Sequence, residues 1–153
     1  MQQTLLILVA CIFCTPALAK DIWGINRDSQ RGGLELSAMP QEDESDTDLW
    51  LSCRKDGRID VGAGANTGIG EGKGEPATLM LSAGRKAAKL RGISKESDNF
   101  QMTGGTELVA TIARNDPLIA VLAAGAPIRM GKTTLAPPGH WLEKFLAACP
   151  ARK

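Results

Sequence analysis

Four groups of residues in this 153-residue chain have types and spacings that invite chemistry: the pair Cys53 and Cys149, the single histidine His140, an acidic run from Glu42 to Asp48, and a basic run from Arg85 to Lys95. Of the four cysteines, Cys11 and Cys14 fall in an apolar leader, which leaves Cys53 and Cys149 for the rest of the chain. Two cysteines in an exported protein read most simply as one disulfide. It would close a loop of about 100 residues, for which loop entropy alone gives ~4.7 kcal/mol. A two-thiol zinc site is the competing reading; with one histidine and no Cys-x-x-Cys it would have to recruit carboxylates.

The other groups are weaker as chemistry. A Ser–His–Asp or Cys–His centre would have to use His140, both cysteines are claimed by the disulfide, and no Gly-x-Ser-x-Gly elbow exists. Glu44, Asp46 and Asp48 alternate as calcium ligands do, but the glycine and distal glutamate of an EF-hand loop are missing. A solvated acidic loop is the plainer account. Arg85, Lys86, Lys89 and Arg91 make the opposite patch, and on a strand Lys89 and Arg91 share a face while Ala88 and Leu90 point the other way. Such cations either guard an exposed strand edge or meet an acidic partner.

Two glycine patterns imitate nucleotide loops. Gly62-Ala63-Gly64 and the run from Gly68 to Gly74 lead into Glu75-Pro76 and a strand, so the helix that a dinucleotide fingerprint must open is absent. The expectation there is a flexible inter-strand loop. Gly131-Lys132-Thr133 ends like a P-loop, yet Ala126 stands where the first glycine should be and Pro127 removes an amide from the cradle. No cofactor is expected.

The elements that must position these groups can be read from periodicity and punctuation. Short strand-like pieces occur between Asp21 and Ser37, followed by a loop from Ala38 to Asp48. Leu49, Leu51 and Cys53 alternate on one face of a strand, Asp56-Gly57 signals a hairpin, and Arg58 to Gly64 returns beside it. Further strands are predicted from Thr78 to Ser82, from Lys86 to Ile93 after a turn at Gly84, and from Glu107 to Ile112. Asp116 suits a helix cap, Pro117 the first helical position and Gly125 the end. A hairpin is expected about Gly131-Lys132. From His140 to Cys149 a helix is predicted whose apolar stripe is Trp141, Leu142, Phe145, Leu146 and Cys149. Both cysteines then face inward. The expected class is α+β: a small antiparallel β-sheet or sandwich with a short buried helix and a C-terminal helix, closed by Cys53–Cys149.

Residues 1–19 read as a secretory signal peptide. Leu5 to Phe13 is almost unbroken apolar chain, too short to span about 30 Å of hydrocarbon, and Ala17-Leu18-Ala19 supplies a small-x-small cleavage pattern. Leu8-Val9-Ala10-Cys11 also satisfies a lipobox, so lipidation at Cys11 stands as the minority alternative. The expected organisation is a leader over 1–19, N-terminal strands and an acidic loop over 20–48, and a disulfide-closed core over 49–153, with 20–153 one domain. The net charge of +1 provides no global field for nucleic acid or acidic lipid. Aromatics make up 4% of the chain with no tyrosine, leaving little for stacking sugars or single-stranded bases.

A leader, Cys53 followed by the basic Arg54, short strands, and a terminal helix from Leu142 to Cys149 form a layout. In it the last two thirds of the chain resembles small periplasmic accessory proteins associated with type VI secretion. The resemblance implies an exported, non-enzymatic role in binding a protein or envelope component, in the periplasm or outside the cell. Two other functions stand beside it: a small hydrolase or inhibitor-like effector using His140, and a divalent-cation binder using the acidic loop.

Overall fold

The computed structural model describes residues 22–27, 33–39, 47–64, 68–97 and 105–150. The leader, Cys11, and the acidic positions Glu44 and Asp46 lie outside the described residues. Among the described residues nine strands and two helices follow in chain order: β1 (Ile22–Asn26), β2 (Glu35–Met39), β3 (Leu49–Cys53), β4 (Ile59–Ala63), β5 (Lys73–Ala83), β6 (Lys86–Glu96), β7 (Thr106–Ile112), α1 (Pro117–Leu122), β8 (Ile128–Met130), β9 (Thr133–Leu135) and α2 (His140–Ala148). Among the described residues no helix is long and apolar enough to cross a membrane.

The strands form one sheet in the order β1-β2-β3-β4-β7-β6-β5-β8-β9, and every pairing is antiparallel. Of the two arrangements expected, sheet or sandwich, the single sheet organises these strands. It curls until its ends meet: the Trp23 indole on β1 donates to the Ala136 carbonyl, just past β9, at 2.8 Å. Residues directly opposite share a face, so register alone defines the inner one. Ala38, Leu49, Ala63 and Leu108 form one inner row across four strands, and Leu36, Leu51, Val61 and Ala110 form the next. Leu81, Leu90, Ile128, Met130 and Leu135 continue that face into the other half of the sheet. Leu118, Val121 and Leu122 of α1 and Leu142 and Phe145 of α2 fill the concavity, giving a single core.

Local chemistry explains the turns and caps. Between β3 and β4 the Gly57 amide bonds to the Arg54 carbonyl at 3.1 Å and Gly57 takes φ 80°, a type I turn completed by a left-handed glycine. Gly84 at φ 57° occupies the first central position of the two-residue β5–β6 turn, where a side chain is disfavoured. Asp116 caps α1 by accepting from the Leu118 amide at 2.8 Å, with Pro117 opening the helix. Arg114 does the converse for α2, donating to the carbonyls of Leu146 and Cys149, so that a guanidinium stands at the negative end of the helix. Cys53 and Cys149 are paired with Cα atoms 5.6 Å apart, within disulfide geometry, which ties α2 to β3.

Three expectations need correction. Ala38 is not loop but a buried residue of β2, and Asp48, the only described member of the acidic trio, is 5% exposed rather than solvated. β5 begins at Lys73, five residues ahead of the predicted strand, with Pro76 beside an irregularity in the ladder. The glycine-rich stretch is not a free loop: Gly62 is inside β4, as the strand expected from Arg58 to Gly64 required, and Gly74 is inside β5. Between them Ser94 Oγ donates to the Ile69 carbonyl and accepts from the Gly72 amide at 2.9 Å.

Candidate binding face

The outer face of the sheet differs along its length. On β2 and β3, and at Glu107 of β7, it is buried, with Glu35, Ser37, Trp50 and Ser52 also enclosed, while Thr111 further along β7 is exposed. On β5 and β6 it is open. Thr78 opposes Arg91, Met80 opposes Lys89, and Pro76 opposes Ile93, all directed away from the core. Ala88 and Leu90, the alternate positions of β6, are buried, so the parity expected for Lys89 and Arg91 holds. Met80 is 51% and Ile93 39% exposed, the large apolar side chains left uncovered among the described residues.

Across β5 the same face continues into β8, where Arg129 opposes Ser82, and Ser82 opposes Ala87. Adjacent strands lie about 4.8 Å apart, so Arg129 extends the positive surface roughly 10 Å beyond β6. No Asp or Glu occurs between Thr78 and Ser82 or between Ala87 and Ile93. Among the described residues none of Lys89, Arg91 and Arg129 forms an ion pair. The charge is therefore uncompensated within the face itself.

The other basic residues divide differently. Arg85 lies in the turn, and Lys86 opposes the buried Ala83, so its parity belongs to the inner face at the exposed tip of the hairpin. The sequence grouping of Arg85, Lys86, Lys89 and Arg91 thus separates into an outward pair and a hairpin tip. Arg129, Met80 and Ile93 are the members that sequence reasoning missed. Their only local signal was alternation, as in Ile128-Arg129-Met130; membership of the face depends on pairing to β5. β6 is not a terminal strand, though among the described residues its only strand partner from Lys86 to Gly92 is β5. Charges that merely screened that flank would not account for Met80 and Ile93 standing uncovered among them.

The remaining candidates sit apart from this face. His140 is exposed at the start of α2 with its ring 4.7 Å from that of Trp141, and among the described residues no nucleophile or carboxylate is hydrogen-bonded to it. No cluster of three His, Cys, Asp or Glu side chains suited to a metal occurs among the described residues. The glycine run does build an anion cradle, and the anion is the chain's own. The Glu75 carboxylate accepts from the amides of Glu71 and Lys73, at 2.9 Å from the latter, while Gly70, Gly72 and Gly74 supply the positive φ values the cradle needs. The Glu71 amide, foremost, holds Glu75 well below its ordinary range, at about 2. No protein-family model, curated protein or solved structure matches this chain.

Proposed function

We propose that this is an exported, non-enzymatic binding protein of the bacterial envelope, and that it engages an acidic protein partner through the outward face of β5, β6 and β8. The observation that carries this reading is the uncompensated row of Lys89, Arg91 and Arg129 with Met80 and Ile93 exposed among the cations. Cations on such a face speed encounter with an acidic surface and set orientation, while the apolar side chains supply area to bury. Export rests on the leader, and the accessory role on the resemblance of the layout to that of periplasmic secretion accessories.

Lys89 and Arg91 point to solvent, so changing both to Glu leaves the core untouched. Crosslinking of tagged protein in its native envelope is expected to recover a specific acidic partner that K89E/R91E loses, and association should weaken as salt is raised. Equal recovery by both proteins would reduce the basic row to a solvated strand face. Intact-mass analysis of exported material is expected to show loss of residues 1–19. A diacylglycerol adduct at Cys11 would instead put the protein on a membrane surface.

A further inference from the structure

On the inner side of the fold, where α2 crosses the ends of β1 and β2, there is an open groove of about 510 Å³, within the size range of small-ligand sites. Ile25 and Leu34 form one wall, and Trp141, Ala147 and Ala148 form the other. Ile25 and Leu34 have the parity of the core face, since Ile25 opposes Leu36, so the groove continues the apolar interior to the surface. Ile25, Leu34 and Trp141 are only partly covered. Trp141, Lys144 and Ala148 lie three and four residues apart and therefore share one side of α2.

Two cations complete the lining. Arg27 follows the end of β1, and Lys144 holds its ammonium 5.0 Å from the Trp141 ring centroid. Neither forms an ion pair among the described residues, and no carboxylate is among the described lining residues. Among the described residues the trough is apolar with positive and no negative charge at its rim, which selects a ligand of matching polarity: an apolar body with one anionic end. We infer that this groove binds a single-chain amphiphile with a carboxylate head, of the fatty-acid type, the chain lying between Trp141 and Ile25 and the carboxylate meeting Lys144 and Arg27. The site is separate from the outward face of β5–β6 and does not depend on it.

The probe is dodecanoate, titrated calorimetrically into the full exported protein below its micelle-forming concentration, with dodecanol as the neutral counterpart. Saturable one-to-one binding is expected, at least tenfold tighter for dodecanoate than for dodecanol. Ala148→Trp fills the groove from an exposed position and should abolish binding of both; Ala147→Trp is the second variant should the first fail to fold. R27E/K144E should weaken dodecanoate at least tenfold while leaving dodecanol unchanged. K89E/R91E should bind dodecanoate as the wild type does, which keeps this result separate from that on the protein partner. No saturable binding, equal affinity for acid and alcohol, or wild-type affinity in a folded groove-filling variant would each overturn the inference.

Discussion

Trp50 lies flat across Gly62: the two residues oppose each other on β3 and β4, and a Cβ on Gly62 would stand 2.1 Å from the indole Nε1. The missing side chain lets the ring cross β4 and donate to Glu107 Oε2 on β7 at 2.8 Å, so one indole ties three strands together. In Gly62→Ala the ring has to move and the buried hydrogen bond is broken. Overpacking of this kind costs about 1–3 kcal/mol. Urea unfolding should show the loss, and near-ultraviolet dichroism should show the changed indole environment. An unaltered midpoint and spectrum would mean that the contact is not held in solution.

Cys53 and Cys149 are 96 residues apart in sequence and clamp the last helix to β3. Replacing either by Ser is expected to cost about 2–4 kcal/mol, chiefly through a freer unfolded chain. The wild type measured in reductant should then unfold at the midpoint of the variants. Two titratable thiols in the native, non-reduced protein would contradict the pairing.

Arg114 satisfies carbonyls that α2 leaves without partners at its C-terminus, namely those of Leu146 and Cys149. Hydrogen bonds to a charged group contribute about 1.5–3 kcal/mol, and Arg114→Ala should lose stability of that order. Arg114→Lys should recover only part of it, because an ammonium cannot present the planar fork that spans two carbonyls. Faster amide exchange confined to the last turn of α2 in Arg114→Ala would identify the cap as the cause.

Glu75 makes stability depend on pH at the acid end. Its folded value of about 2 lies below the ordinary 4.5. The unfolded chain therefore binds the proton first as pH falls. The contribution of the cradle is complete above about 4.5 and is lost as pH falls towards 2. Melting temperatures of wild type and Glu75→Gln should differ most at neutral pH and converge near pH 2, with the wild type higher. The carboxylate is exposed, so solvent screening keeps the difference small. A constant gap across the whole range would assign the effect to shape rather than charge.

Much of the fold was legible because its signals are local. The two hairpin turns about Gly57 and Gly84 need φ values that glycine adopts freely, and their neighbours alternate with the strand period. Asp116-Pro117 announced α1 through the chemistry of a cap, and the stripe ending at Cys149 turned that cysteine inward to meet Cys53. The outward direction of Lys89 and Arg91 was legible for the same reason, since parity along one strand is a property of that strand alone.

What the tertiary structure alone decided concerns residues far apart in the chain. Glycine content made the stretch from Gly68 to Gly74 read as flexible, yet Ser94 and Glu75 hold it, and Ser94 reaches it only because β6 folds back on β5. Arg129 joins the basic face through a pairing of β8 with β5, and Trp141 forms a groove with Ile25 because α2 returns across β1 and β2. By itself the sequence determined strand parity, turns, caps and the inward aim of two cysteines, all set by dihedral preference and hydrophobic period within a few residues. Strand order and the shared surfaces required the folded chain, because they arise from hydrogen bonding and burial between segments whose separation no local pattern encodes.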